Sequence, residues 1–256
     1  MAYMMPSRAR AGFQEPTEGV RLIAGVERIG LCGRFREVSR HRHAAAALVI
    51  GVDVPLRFVA DRNHESRAVL IDPGFAHAVD TRGGRLAMFV LPPHARRAAG
   101  HPPLRDLGHP GRWVALGEAV FRKELVDFTE IDHAVAREGL DASPIDDRLR
   151  TALQALAATL DTNLSIDEVA ATAHLSPSRL MTLAHAQLGA SLRAYRRWLR
   201  AFQVARDYAA GASLTEAALA AGFASSAHLS AAARDHFGIR PSDILTPHNR
   251  PAIRAV

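Results

Sequence analysis

Ser165-Ile166-Asp167-Glu168-Val169-Ala170-Ala171-Thr172-Ala173-His174-Leu175 recurs further along the chain as Ser213-Leu214-Thr215-Glu216-Ala217-Ala218-Leu219-Ala220-Ala221-Gly222-Phe223. Each copy begins with Ser and has Glu three residues later, which is the pattern of a capping box at a helix N-terminus. Helical stretches follow at 178–188 and 227–237, and each ends at a glycine. This order predicts two helix-turn-helix motifs, a motif that proteins use to hold DNA. An ordinary bundle of Ala-rich helices is the alternative.

The turn inside each copy has its own signal. Gly222 supplies the positive φ that ends a helix without strain, and Leu175 and Phe223 would anchor the turns in the core. His174 stands at the position equivalent to Gly222. We therefore expect His174 to adopt a conformation that histidine tolerates less well than glycine.

Residues 148–245 resemble the DNA-binding region of the AraC/XylS family of bacterial transcription regulators. The matching segments are Leu175-Ser176-Pro177-Ser178-Arg179-Leu180, Leu188-Gly189, Tyr195-Arg196-Arg197-Trp198-Leu199-Arg200, Ala205-Arg206, Ala217 to Phe223, Ser226 with His228-Leu229-Ser230, and Phe237-Gly238 with Pro241. The resemblance implies a sequence-specific DNA-binding regulator that responds to a small-molecule effector and recruits RNA polymerase. Activation is the usual mode of the family, although the sequence does not distinguish it from repression.

The outward positions of the second helices are the candidate base contacts. They are Ser178, Arg179, Met181, Thr182 and His185 in the first motif, and Ser226, His228 and Ser230 in the second. The first set is richer in hydrogen-bonding groups, so we expect the first motif to dominate base recognition. Candidate phosphate contacts are Arg196, Arg197, Arg200 and Arg234. The first three of these, with Arg193, form one stripe at helical spacing, and a solvated helix face paired with acids is the alternative reading.

Ala184 and Ala233 depart from the resemblance, because the family usually has a large aromatic side chain near each position. Both copies have changed alike. We therefore expect other bulky side chains, such as Trp198 or Phe202, to compensate for the lost volume.

The first half of the chain has the pattern of a β domain. Apolar segments at 20–29, 45–52, 56–60, 68–71, 75–80 and 85–91 alternate with turn signals such as Asp72-Pro73-Gly74 and Arg82-Gly83-Gly84. Short strands with this punctuation predict an antiparallel barrel or sandwich. The segments His41-Arg42-His43 and Asp72 to His77 resemble the cupin-like barrel at the N-terminus of many AraC-family regulators.

The predicted fold class is therefore α+β. The predicted divisions are a flexible tail at 1–17, a cupin-like sensory barrel at 18–93, a linker and helical dimerisation segment at 94–140, and the DNA-binding domain at 141–256, with motifs near 165–188 and 213–237. Apolar residues from Trp113 to Val135 recur mostly in helical steps, which predicts the helices of the third division. Dimerisation through them is implied by the resemblance alone.

His41, His43 and His77 are the candidate residues of an effector pocket. They stand where enzymatic cupins have metal-binding histidines. The acidic ligand expected a few residues after the second His is missing, because Ala44-Ala45-Ala46-Ala47 stands there. We therefore expect no bound metal, no cofactor and no catalytic residue.

Composition narrows the classes of protein to which this chain could belong. The formal net charge of +6 suits an anionic partner, and a single cysteine, Cys32, excludes an intramolecular disulfide. The sequence shows no signal peptide and no apolar run of membrane-spanning length, so we expect a cytoplasmic protein. The repeats and the resemblance imply binding to double-stranded DNA, and the resemblance implies a homodimer. The rivals are a cupin-type metalloenzyme whose helical tail serves assembly, and an architectural DNA binder without an effector.

Overall fold

The computed structural model describes residues 20–25, 28–35, 37–91, 96–97, 102–122, 128–138, 140–141, 145–162, 164–245 and 252–253. Its strands are β1 (Arg21–Gly25), β2 (Arg28–Arg34), β3 (Glu37–His41), β4 (Ala47–Gly51), β5 (Leu56–Val59), β6 (His64–Ser66), β7 (Ala68–Ile71), β8 (His77–Asp80), β9 (Arg85–Val90), β10 (Arg96–Arg97), β11 (Leu104–Asp106), β12 (Leu140–Asp141) and β13 (Ala252–Ile253). Its helices are α1 (Pro110–Phe121), α2 (Phe128–Ala136), α3 (Asp147–Ala158), α4 (Ile166–Thr172), α5 (Pro177–Leu188), α6 (Leu192–Ala210), α7 (Leu214–Ala220), α8 (Ser226–Phe237) and α9 (Pro241–Ile244).

Strands of the first half form two packed sheets, and β13 from the end of the chain joins the larger one beside β1. One has the order β11-β7-β4-β9-β2-β1-β13 and the other the order β3-β8-β5-β6. Val49 and Ile71 of the larger sheet share an apolar core with Phe58 and Val79 of the smaller one. The predicted α+β class and N-terminal β domain are confirmed. The interpretation of 20–29 as one segment was wrong, because two antiparallel strands, β1 and β2, begin there.

Helices α1 and α2 cover the other face of the larger sheet. Trp113, Val120 and Ile131 pack with Leu48 and Phe89 in a second apolar cluster. Gly117 permits the close approach of α1, because a Cβ there would lie 2.7 Å from Val52 Cγ2. The apolar faces predicted from the spacing of residues 113–135 are therefore used within the chain.

The C-terminal region is helical from α3 to α9, and its core is continuous with that of the sheets. The cluster that contains Val49 and Phe58 also contains Leu180, Trp198 and Phe223. Among the described helices, none is both long and apolar enough to cross a membrane. The predicted flexible tail at 1–17 lies outside the described residues.

Candidate nucleic-acid interface

The two repeats fold as a pair of capped helix-turn-helix units. Ser165 and Ser213 each accept a hydrogen bond from the backbone N–H of the Glu three residues later, and each Glu accepts one from the backbone N–H of its Ser. Both predicted capping boxes are confirmed. The turns also match, because φ is 53° at His174 and 80° at Gly222. Local hydrogen bonding thus sets where the first helix of each unit begins and where its turn lies.

The second helix of each unit is capped at both ends. Ser176 and Ser225 accept N-terminal hydrogen bonds from the N–H groups of Arg179 and His228, and Gly189 and Gly238 end the helices in the left-handed conformation. These caps begin α5 and α8 at Pro177 and Ser226. The register of each exposed face follows from that start.

Helix α5 presents its predicted base-reading residues to solvent. All five are exposed, and Met181 retains 52% of its accessible surface: Ser178, Arg179, Met181, Thr182 and His185. The opposite face buries Leu180, Leu183 and Ala184 in the core. An exposed guanidinium and hydroxyl near the N-terminus of a protruding helix can hydrogen-bond base edges in a major groove.

Helix α8 has a poorer exposed face. Ser226 and His228 are exposed and Ser230 is half-buried, while Ala227 and Ala231 contribute only methyl groups to the exposed side. His228 also packs edge-on against Phe223, with ring centroids 5.3 Å apart. This helix therefore offers fewer groups that can distinguish one base from another.

The arginine stripe on α6 runs from exposed to buried. Arg193 is exposed, Arg196 and Arg197 are half-buried, and Arg200 is buried. Arg196 Nη2 donates to the carbonyl oxygen of Leu164 at 2.6 Å, and Arg200 Nη2 donates to that of Leu160 at 2.8 Å. Arg197 Nε donates to His236 Nε2 at 3.1 Å.

These internal bonds give part of the stripe a structural use that the spacing did not indicate. The contact of Arg196, Arg197 and Arg200 with phosphates stays a prediction. Exposed Arg234 on α8, together with Arg193, is better placed to meet a phosphate.

Comparison with known proteins agrees with this geometry. Residues 169–246 match the family model described as a helix-turn-helix domain. The C-terminal region is a helix-turn-helix domain of the AraC type. The chain is therefore a DNA-binding transcription regulator, as the repeats indicated. No curated protein sequence matches it.

Solved structures show that the regulator's whole fold has relatives. ToxT from Vibrio cholerae O395 superposes with a TM-score of 0.60 at 11% identity, over 87% of this chain and 99% of ToxT. ToxT bound to an unsaturated fatty acid, from Vibrio cholerae strain SCE256, gives 0.57 at 11% identity, over 94% and 100%. ToxT from Vibrio cholerae O395 bound to (E)-4-(8-methylnaphthalen-1-yl)but-3-enoic acid gives 0.61 at 10% identity, over 86% and 98%. At these identities the similarity concerns the fold.

An apolar cavity of about 60 Å³ lies between the two halves of the regulator. Its walls come from β2 and β9 on one side and from α6, α8 and α9 on the other, and include Leu31, Met88, Val204, Leu229, Ala233 and Phe237. A small side chain at position 233 leaves this space open where the family usually has an aromatic ring. Sequence reasoning noted that departure but did not locate the cavity, because the opposing wall comes from strands far away in the chain.

The second departure from the family pattern, Ala184, lies in the core of the helical region. Ala184 is fully buried. Trp198 and Phe202 are also buried, with stacked rings 6.0 Å apart. The bulky side chains of Trp198 and Phe202, which were predicted to compensate for the lost volume, therefore lie in the core of the helical region.

The three candidate effector residues converge away from the cavity. His41, His43 and His77 are buried, with 4%, 3% and 0% of their surface exposed, and the walls of the cavity do not include them. Burial lowers the pKa of His41 to about 3 and holds the pKa values of His43 and His77 below the usual range, so the rings are neutral near pH 7. Their assignment to an effector pocket stays a prediction.

Proposed function

We propose that the regulator reads its DNA site chiefly through α5. The observation that carries this proposal is the exposure of Arg179 and Thr182 on a capped helix whose opposite face is anchored in the core. A guanidinium can donate two hydrogen bonds to guanine, whereas the methyl groups of α8 can donate none. Helix α8 supplies the weaker contacts of Ser226, His228 and Ser230.

Phosphate contacts would hold these helices in register on the duplex. Exposed Arg193 and Arg234 support this part of the proposal. Arg196 and Arg197 are half-buried and Arg200 is buried, and all three bond to other parts of the chain. Phosphate contacts position a protein without carrying sequence information. Binding should therefore weaken as salt concentration rises.

The effector we propose is a compact apolar molecule that enters the cavity between the sheet and the helices. A buried apolar cavity of about 150 Å³ can bind benzene. The cavity of about 60 Å³ is smaller, so it must expand to take such a molecule. Expansion would move α8 or α9 away from β2 and β9. The described residues of the lining include no cationic side chain. This favours an uncharged ligand over the carboxylic acids named with ToxT.

We further propose a cytoplasmic homodimer that contacts RNA polymerase and has no catalytic activity. The presence of a DNA-binding domain supports the cytoplasmic location and the contact with RNA polymerase. The resemblance to AraC-type regulators supports the dimer. Since α1 and α2 place their apolar faces on the sheet, a dimer contact would use their outer sides. The burial of the three histidines argues against the metalloenzyme alternative, because a substrate would have no access to the rings.

Selection of bound DNA duplexes from a random pool tests the proposal that α5 makes the main base contacts. Arg179→Ala and Thr182→Ala should each weaken binding to the selected site by about 1–3 kcal/mol and relax preference at one or two base pairs. Ser230→Ala is the matched control on α8 and should change affinity much less. Two equally informative half-sites one helical turn apart would overturn the ranking of the helices. Absence of duplex binding by the folded chain would overturn the function itself.

A further inference from the structure

The three buried histidines form a compact cluster at the meeting point of two strands and a loop. His41 ends β3 and is the cross-strand partner of His77, which begins β8, while His43 follows two residues later. One ligand nitrogen from each ring lies within 4.8 Å of the others. Among the described residues, no acidic side chain or thiol joins the group. The cluster therefore offers three imidazoles and nothing else.

Backbone hydrogen bonds orient two of the rings toward a common point. His41 Nδ1 donates to the carbonyl oxygen of Ser39 at 2.8 Å, and His77 Nδ1 donates to that of Phe75 at 3.0 Å. A neutral ring that donates from Nδ1 keeps an unprotonated Nε2. Metal-binding histidines are commonly held in this way, with the second nitrogen bonded to a carbonyl.

Among the described residues, His77 Nε2 has no hydrogen-bond partner, and its ring is fully buried. Leaving a buried polar atom without a hydrogen-bond partner is unfavourable. A ligand inside the cluster would remove part of this cost, since His77 Nε2 faces the other two rings.

The spacing of the nitrogens fits a tetrahedral ion. Nitrogens bound to zinc at about 2.0–2.1 Å in tetrahedral geometry lie roughly 3.3–3.4 Å apart. His41 Nε2 and His43 Nε2 are 3.1 Å apart and share one hydrogen bond, which a bound ion would replace. The ligand nitrogen of His77 lies within 4.8 Å of the other two, so this ring would have to move inward to complete the site.

We propose that His41, His43 and His77 form a site for a divalent first-row transition-metal ion of the Zn²⁺ class, with a fourth position for water or another ligand. The sequence favoured the opposite view, because no carboxylate follows His43. The orientation of the rings and the partnerless Nε2 of His77 outweigh that argument. An all-imidazole site suits Zn²⁺, Ni²⁺ or Cu²⁺ and disfavours the hard cations Mg²⁺ and Ca²⁺.

The site lies against the C-terminal end of α8. The N–H of Ser39 donates to the carbonyl oxygen of Gly238 at 3.0 Å, and the N–H of Arg42 donates to that of Asp235 at 2.9 Å. A Cβ at Gly238 would lie 2.7 Å from His41 Nδ1. A metal that stiffens the cluster would thus stiffen the base of the second recognition helix.

Metal titration of the full-length chain tests the site. After treatment with a chelator, the protein is titrated with Zn²⁺ and with Mg²⁺ in competition with a chromophoric chelator. We expect one tight Zn²⁺ equivalent per chain and no competition from Mg²⁺. His43→Gln and His77→Gln should weaken Zn²⁺ binding at least tenfold, whereas His133→Gln, an exposed histidine on α2, should not. Equal binding by His77→Gln and His133→Gln would overturn the proposal.

A second measurement does not depend on the variants being folded. Co²⁺ bound to the natural chain should give the intense visible absorption of a tetrahedral site, and one equivalent of Zn²⁺ should abolish it. Weak octahedral absorption, or no stoichiometric binding, would overturn the site. The DNA-binding face is separate from the cluster. Binding of duplex DNA by folded His77→Gln therefore distinguishes a failure of this proposal from a failure of the regulator function.

Discussion

His174 holds a left-handed conformation, with φ of 53°, at a turn where the second repeat has Gly222. A side chain with a Cβ is strained in that region by about 1 kcal/mol or more, and glycine is not. His174→Gly should therefore stabilise the protein by roughly 0.5–1 kcal/mol, measured as the free energy of unfolding in denaturant.

The reverse change provides the control at the equivalent turn. In Gly222→Ala the new Cβ would lie 2.5 Å from the carbonyl oxygen of Leu160 and 2.9 Å from Arg200 Nη2, so this variant should be destabilised. Equal effects of the two substitutions would mean that the left-handed turn does not limit stability.

Among the arginines, burial separates two roles that sequence spacing merges. Arg193→Ala and Arg234→Ala should reduce the slope of log affinity against log salt by about 0.9 each, because each exposed cation would release one counterion. Arg200→Ala should leave that slope unchanged and lower the free energy of unfolding by about 1–3 kcal/mol, since the carbonyl oxygen of Leu160 loses its buried donor. A shallower slope in Arg200→Ala would restore its predicted phosphate contact.

Helix α8 serves both halves of the molecule, because its exposed face carries predicted DNA contacts and its inner face lines the cavity. Ala233→Leu should fill the space beside Leu31 and Met88. We expect a rise of several degrees in melting temperature, because added apolar contact stabilises a cavity that it fits. We also expect the loss of any response to apolar effectors.

The control for this change lies on the same helix. Ala231→Leu adds the same side chain on the exposed face, so it should leave both melting temperature and effector response unchanged. A retained effector response in folded Ala233→Leu would place the effector elsewhere.

The elements that local chemistry governs could be predicted from the sequence. Capping boxes, positive-φ turns and terminal glycines act within a few residues, so both helix-turn-helix units and their exposed faces follow from the repeats. Strand β3 was missed, because Glu37 and Arg40 are charged and the strand is the edge of the smaller sheet. The cavity, the histidine cluster and the bond from Arg200 to Leu160 depend on distant segments, which no spacing rule brings together.

The whole molecule has one apolar core that runs from the sheets into the DNA-binding helices. Its two tryptophans report on different regions, since Trp113 lies between α1 and the larger sheet and Trp198 lies on α6. Trp113→Phe and Trp198→Phe each retain one tryptophan as a fluorescence reporter. For each variant, we expect the unfolding midpoint measured by fluorescence to coincide with the midpoint measured by circular dichroism. A clear gap between the fluorescence and circular dichroism midpoints in either variant would show that the halves unfold separately.

The backbone hydrogen bonds between the end of β3 and the end of α8 also affect how the two halves of the protein can evolve. They join main-chain atoms of Ser39 and Arg42 to those of Gly238 and Asp235, so point substitutions that spare the backbone geometry leave them in place. If recombination joined this helical region to a foreign sensor domain, those amide and carbonyl groups would lose their hydrogen-bond partners. The apolar side chains of Val204 and Phe237 would also become exposed. Such chimeras should aggregate unless the new sensor brings a matching edge strand. We therefore expect the N-terminal β domain and the DNA-binding region to diverge together in related proteins, and not to be exchanged as separate modules.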